Sequence, residues 1–183
     1  LQRRRNTDLP VEELLTGILH NRLGRVLCKC AGIKGNLRAR DLTDRDVAEV
    51  CRNLGIPVVL HDLPHRSDTV RLGLEAVGDV DCCLFCPGDQ PLLRRRTVEI
   101  LLENWRMFRN LIFRPCFEDT PGSPVLFPRW TFPELRILPE GKGGGYVIRN
   151  HPDEVHTVQV PTAFELADAD TPEMLELLLQ LDH

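Results

Sequence analysis

Cys82-Cys83-Leu84-Phe85-Cys86-Pro87-Gly88-Asp89-Gln90-Pro91-Leu92 is the stretch on which the reading of this chain turns. Four apolar residues make a short buried strand, and Pro87-Gly88 ends it. Asp89 is thereby set at the strand's carboxyl tip, the edge of an open α/β sheet where ligands bind. Gly88 leaves room for a phosphate to approach the backbone. A lone carboxylate there suits a hard cation such as Mg²⁺, which takes oxygen ligands from one or two acids and from substrate phosphates. The plainer reading of the tetrapeptide is an Asx turn closing a strand.

The pattern around it alternates. Val11, Leu14, Leu15, Ile18 and Leu19 recur at helical spacing, and Arg25 to Ala31 then reads as a strand closed by Gly32. Thr43-Asp44-Arg45-Asp46 opens a helix that Gly55 stops at Leu54. Ile56 to Leu60 is a strand, and Ser67 to Val77 a helix with Ser67 as its N-cap. Asp81 to Phe85, Thr97 to Phe108 and Leu111 to Phe113 continue as strand, helix and strand. From Arg114 to Gly145 the pattern loosens into a Pro/Gly-rich stretch of loops and short turns. Glu154 to Val160 alternates as a strand. Thr171-Pro172-Glu173 starts the last helix with a capping hydroxyl, Pro at its first position and an acid beside the dipole. Strands and helices in this rhythm predict βαβ units, hence a three-layer α/β/α domain with a mostly parallel sheet. One domain is expected over residues 1–183, a length that buries roughly 70% of the unfolded surface.

Composition narrows the function. The net charge of −4 argues against nucleic acid or an anionic membrane surface as the main partner. Arg3-Arg4-Arg5 and Arg94-Arg95-Arg96 run against that balance and read as solvated surface ahead of anion sites. No stretch approaches the roughly 20 apolar residues of a membrane span, and no secretory signal is visible, so a cytoplasmic protein is expected. The seven cysteines do not form a well-spaced pair of pairs. Cys28-x-Cys30 alternates along a strand, and Cys82, Cys83 and Cys86 lie in or beside another. Reduced, mostly buried thiols packing as small hydrophobes are the reading preferred over zinc.

Four further segments are candidate site material. His65-Arg66-Ser67-Asp68-Thr69-Val70-Arg71 places Ser67, Thr69 and Arg71 near a helix N-terminus, where backbone N–H groups favour anions; a capped surface helix explains it equally. Thr120-Pro121-Gly122-Ser123-Pro124 is a rigid turn feeding a strand. Glu140-Gly141-Lys142-Gly143-Gly144-Gly145 offers exposed N–H groups and a cation but lacks the Walker A spacing, so it is a phosphate cradle or a connector. Asp168-Ala169-Asp170 sets two carboxylates ahead of the last helix, where capping alone accounts for either.

In this order the segments resemble the molybdopterin-nucleotidyltransferase family, and within it the molybdenum cofactor cytidylyltransferase branch. The resemblance is carried by Ser67-Asp68-Thr69-Val70-Arg71-Leu72-Gly73-Leu74, Gly88-Asp89-Gln90-Pro91-Leu92 and Gly122-Ser123-Pro124-Val125-Leu126-Phe127. Phe132-Pro133-Glu134-Leu135, Gly141-Lys142-Gly143-Gly144 with His151-Pro152-Asp153-Glu154-Val155, and Asp168-Ala169-Asp170-Thr171-Pro172-Glu173 extend it over about residues 56–180. It implies a nucleotide-diphospho-sugar-transferase-like, Rossmann-like fold and a Mg²⁺-dependent transfer of CMP (or GMP) from a nucleoside triphosphate to the phosphate of molybdopterin, with release of pyrophosphate. Such a transfer depends on positioning and charge neutralisation more than on covalent help from protein. By position, Asp89 is implied as the catalytic acid and metal ligand and Asp168 as the second ligand. Ser67, Thr69, Arg71 and Gly88 fall beside the nucleotide, CTP ahead of GTP. Gly122, Ser123, Pro124, Gly143 and Gly144 fall on the pterin side, and a molybdoenzyme is the implied recipient of the product.

The family opens with a strand and a glycine-rich loop carrying Ser, Arg and a downstream Lys. Here Leu1-Gln2-Arg3-Arg4-Arg5 matches at most the tail of that loop, and no Lys precedes Lys29. Two alternatives stand beside the molybdenum-cofactor enzyme: a carrier that binds the cofactor without turnover, which the missing loop supports, and a nucleotidyltransferase acting on a sugar phosphate. A sheet without its first strand leaves backbone groups unpaired at roughly 1–3 kcal/mol each. Another strand is thus expected at its centre, or missing residues between about Arg5 and Pro10.

Overall fold

The computed structural model describes residues 17–21, 24–28, 44–53 and 55–181. In chain order the elements are β1 (Gly17–Asn21), β2 (Gly24–Cys28), α1 (Asp44–Asn53), β3 (Val58–Leu60), α2 (Arg66–Val77), β4 (Cys82–Phe85), α3 (Arg95–Met107), β5 (Ile112–Phe117), β6 (Thr120–Pro121), β7 (Val125–Pro128), α4 (Phe132–Arg136), α5 (Gly145–Asn150), β8 (Val155–Gln159) and α6 (Pro172–Gln180). Short 3₁₀ turns cover Arg129–Thr131, Pro152–Glu154 and Ala163–Leu166.

The main sheet has the order β4-β7-β5-β6, with β8 on β5 as well. Its periodicity explains the layers. Adjacent residues of a strand face opposite sides, so Cys83 of β4 and Val125 and Phe127 of β7 join Val70 and Leu74 of α2 with Phe132, Leu135 and Val147 from α4 and α5. Leu84 and Leu126, one residue along, join Val98, Leu101, Leu102 and Trp105 of α3 and Phe113 of β5 on the other face. Ten residues of the first cluster and seven of the second are buried, so both faces of the sheet are covered and the three-layer α/β/α architecture holds.

The expectation of a mostly parallel sheet needs a correction in its pairing. β4, β5 and β8 share one direction, and β5–β8 is a parallel ladder from Ile112↔Val155 to Cys116↔Gln159. Between β4 and β5, however, lies β7, antiparallel to both. The cause is the length of the return. A parallel connection needs a dozen or more residues, and only residues 118–124 separate β5 from β7. The chain turns at Glu118, whose φ is 51°, pairs β6 back onto β5, and enters β7 through a cis Ser123–Pro124 bond. The strand that the turn at residues 120–124 was expected to feed is thus β7, which lies inside the sheet, and the Pro/Gly-rich stretch beyond it supplies helix α4, begun with Pro133 in its first turn, where loops were expected.

At the amino-terminal end, Ile18 and Leu19 belong to β1 and not to the expected helix. Gly17–Asn21 pairs antiparallel with Gly24–Cys28 across a register from Gly17↔Cys28 to Asn21↔Gly24, and β2 pairs with β3. A hairpin pairs backbone groups that a helix broken at Gly17 leaves open. The rest of that expected helix, the Arg3-Arg5 cluster, Cys30 and the expected gap before Pro10 lie outside the described residues. β1 approaches β4, although among the described residues no ladder joins them. Gly55, with φ 71°, closes α1 as the sequence predicts: its N–H reaches Arg52 O at 2.9 Å, and that of Ile56 reaches Cys51 O at 2.8 Å. Among the described residues no helix is long and apolar enough to cross a membrane.

Candidate active site

A cleft of about 280 Å³ opens at the carboxyl end of β4. The strand's apolar run delivers Phe85, Cys86, Pro87 and Asp89 to one wall. Arg66, Thr69 and Val70 enter from the first turns of α2, Ser123, Val125 and Phe127 from the β7 region, and Gly143 to Gly145 from the start of α5. Asp168 closes it from the segment before α6.

Chain segments far apart in sequence meet at the acidic end through directed hydrogen bonds. The Ala169 N–H donates to the Asp89 carbonyl at 2.7 Å. The Gln90 amide donates to Leu166 O at 3.1 Å and to Asp168 Oδ1 at 3.0 Å. Behind them Glu165, 1% exposed, accepts from the Arg94 N–H at 3.2 Å and from the Thr97 hydroxyl. Glu165 thereby caps α3 from across the chain, satisfying N–H and hydroxyl groups that a helix start leaves open. It ties the turn ahead of Asp168 to the helix that follows Asp89. Thr171 Oγ1 accepts from Met174 N at 3.2 Å, so the hydroxyl cap read from the sequence fixes the far side of the same segment.

Asp89 is half-buried, and its Oδ1 is buried with no hydrogen-bond partner among the described residues. Burial holds its pKa above the ordinary aspartate value. The Asp168 and Asp170 charges add to that, against a smaller opposing pull from Arg66 and from Asp89's own backbone. A buried acceptor without a partner, facing like charge, costs folding free energy. A divalent cation removes both penalties at once, and carboxylate oxygens are the donors that Mg²⁺ or Mn²⁺ prefers. The residues present fit such an ion.

The opposite end is shaped by missing side chains. A Cβ on Gly143 would stand 2.7 Å from Arg66 Cδ, and one on Gly144 would stand 2.8 Å from the ring of Phe127. Phe127 is 1% exposed and meets Phe85 edge to face at a centroid separation of 5.3 Å. The glycines therefore let the backbone pack directly onto Phe127 and the Arg66 stem, and the half-buried Phe85 supplies the aromatic surface on this side of the cleft. Beside them Arg114 donates from Nε to Gly122 O at 2.9 Å, and burial pulls its guanidinium below the usual arginine pKa. That bond anchors the turn that presents Ser123.

Of the residues selected from sequence, the cleft gathers Thr69, Asp89, Ser123, Gly143, Gly144 and Asp168. Ser67, Arg71, Gly88, Gly122 and Pro124 are not among its lining residues. Arg71 points along α2 into ion pairs with Glu75 at 3.1 Å and Asp68 at 3.6 Å. Ser67 is not the N-cap. That position falls to His65, whose backbone N–H is accepted by the Asp68 carboxylate at 3.2 Å, so the helix begins at Arg66. The i, i+3 spacing of His65 and Asp68 is the signal from which the sequence reading would have reached Arg66. Arg114, Phe127 and Glu165 were also passed over; nothing local marks them, since their partners lie many residues away or across the sheet. The thiols Cys51, Cys82, Cys83, Cys86 and Cys116 stand outside any disulfide, buried or half-buried. Among the described residues no group of three or more His, Cys, Asp or Glu side chains is arranged to hold a metal, so an ion at the acidic end would complete its shell from substrate and water.

The comparisons with known proteins follow this geometry. A crystal structure of the Rv0371c protein from Mycobacterium tuberculosis H37Rv superposes with a TM-score of 0.58 at 24% identity, over 67% of this chain and 63% of that one. Its homologue from Mycobacterium sp. strain JC1 gives 0.54 at 23%, over 67% and 61%. A nucleotidyl transferase from Methanothermobacter gives 0.59 at 16%, over 75% and 69%. At these identities the likeness is one of fold, and the chain spans about three fifths of the length of the two mycobacterial proteins. No curated protein matches the sequence. The model of the MobA-like NTP transferase domain matches residues 36–155, more than half of the chain, which therefore belongs to the MobA-like NTP transferase domain family.

Proposed function

We propose that the chain transfers a nucleotidyl group from a nucleoside triphosphate, CTP ahead of GTP, to the phosphate of molybdopterin, releasing pyrophosphate in a Mg²⁺-dependent reaction. One observation carries the proposal: Asp89 presents a buried carboxylate oxygen without a partner, at the tip of β4, toward the acidic segment of Asp168. Asp89 and Asp168 hold the metal. When bound, the ion neutralises phosphate charge and orients the triphosphate. Thr69, with its hydroxyl 3.1 Å from His61 Nε2, lies at the nucleotide side with Ser67 and Arg71 near it on α2. Gly88 lets the phosphates approach the strand end. The turn Gly122-Ser123-Pro124 and the glycines Gly143 and Gly144 form the other side, where the half-buried Phe85, backed edge to face by Phe127, offers an apolar surface to a flat heterocycle. The acceptor's phosphate oxygen forms a bond to the α-phosphorus, and the α–β bridging oxygen leaves with pyrophosphate.

The test is pyrophosphate release by the purified chain supplied with Mg²⁺, molybdopterin and either CTP or GTP. Turnover that needs molybdopterin and is faster with CTP supports the reading. Turnover with a sugar 1-phosphate in place of molybdopterin moves the acceptor to another class. Cofactor binding without turnover makes the chain a carrier.

A further inference from the structure

Among the described residues, one guanidinium stands in the cleft without closing an ion pair onto a carboxylate. Arg71, Arg95, Arg96, Arg109 and Arg129 each have an acidic partner within 4.0 Å. Arg66 makes no ion pair or hydrogen bond among the described residues, although it lies within electrostatic reach of Asp89. Its placement accounts for this. The stem lies against Gly143, so close that a side chain at position 143 would displace it, and this contact places Arg66 on the glycine side of the cleft. Among the described residues it is the one cation that lines the cleft.

We propose that Arg66 is the residue that grips the phosphate of the acceptor, so that the acceptor is selected as a phosphomonoester. The inference rests on the nucleotidyl-transfer reading, and it assigns a residue to which that reading gives no role. An acceptor phosphate must reach a triphosphate beside two carboxylates, where every neighbouring charge has its own sign. A cation across the cleft from the acids offsets that repulsion, and the planar guanidinium offers paired N–H donors that match phosphate oxygens. Because Arg66 is not closed onto Asp89, the acids stay available for the metal. Gly143 follows from the same arrangement: it is glycine because the arginine occupies the space its side chain would take.

The experiment measures binding of inorganic phosphate to the full chain by ³¹P NMR in EDTA, so that no metal contributes. Wild type binds, R66A weakens binding by at least about tenfold, and R66K keeps part of it, as expected for one charge-assisted bidentate contact. Mg²⁺ affinity, measured in parallel, is preserved in R66A and R66Q. Equal phosphate affinity in wild type and R66A, or no phosphate binding by wild type, overturns the assignment of Arg66. Neither result touches the nucleotidyl-transfer reading, which stands or falls on metal-dependent turnover and its loss in Asp89 variants.

Discussion

The two ends of the cleft are built on opposite principles. At the acidic end, charge is concentrated and held in place: Asp89 and Asp168 approach each other against repulsion because Gln90, Ala169 and Glu165 bind the two segments together. At the glycine end, side chains are absent so that Arg66 and Phe127 can fill the space. On the proposed reading, the first end gives up stability for a place to hold a cation. The second forms the floor and the opening. Substitutions should therefore separate cleanly, with loss of chemistry at one end and loss of fit at the other.

The largest expected effect is at Asp89. D89A should lower turnover by at least about 10²-fold, the usual result of removing a group that stabilises transition-state charge, and steady-state kinetics checks it. Near-normal turnover would erase the distinction between the two ends. At the glycine end, G144A forces a methyl group into the buried ring of Phe127 and should cost about 1–3 kcal/mol of stability on denaturant unfolding. G143A meets only the flexible stem of Arg66, so it should unfold nearly as wild type while raising KM for the acceptor. If the two variants are equally unstable, the glycine end is structural packing and not a shaped floor.

Glu165 tests the bracing behind the acids. E165A uncaps α3 and strands the Thr97 hydroxyl, 4% exposed as a residue, so a loss of about 1–3 kcal/mol is expected by chemical denaturation. Its turnover should fall through a weakened metal affinity, because Asp168 loses its link to the helix that follows Asp89.

A smaller effect of opposite sign is expected from charge alone. Burial, with Asp168 and Asp170 adding to it, holds Asp89 above its unfolded-state pKa. A carboxyl shifted upward contributes stability below its unfolded pKa and loses it as pH rises through the folded value. In EDTA the Tm of wild type should decline, relative to D89N, as pH climbs through that window. At neutral pH D89N should melt about 1–3 °C higher, a modest gain because half of the group is solvated. A D89N variant that melts lower at neutral pH would show that the acidic end is not under electrostatic strain.

The smallest effect concerns the thiols behind the cleft. Burial, then the Asp81 charge, pushes Cys82 up to about 12, and burial raises Cys83 as well. At pH 8 roughly one Cys82 in 10⁴ is a thiolate, so both should resist a disulfide reagent until the protein unfolds. Rapid native-state labelling at either position contradicts the packing of β4.

What the sequence made legible is local. An apolar run ending in Gly-Asp places Asp89 at a strand tip, and Thr171-Pro172 marks a helix start, because the cause lies within a few neighbouring residues. The insertion of β7 between β4 and β5 was not legible: the turn at residues 120–124 announces a strand, but its place in the sheet is a long-range choice. Helices α4 and α5 are five and six residues long, too short for their periodicity to rise above the surrounding Pro and Gly. Arg66 was hidden by an N-cap that lies two residues earlier than expected, at His65 in place of Ser67. Nothing in the residues around Glu165 marks it, and only the tertiary fold reveals that its carboxylate caps a helix seventy residues earlier.

The central claim is that Asp89 and Asp168 form a divalent-cation end, and calorimetric titration of the full chain with Mg²⁺ and Mn²⁺ in the presence of CTP tests it most directly. Wild type should bind one ion, D89N should lose at least about tenfold in affinity, D168N should lose less, and R66A should bind as wild type. Undiminished metal binding by D89N would contradict the account.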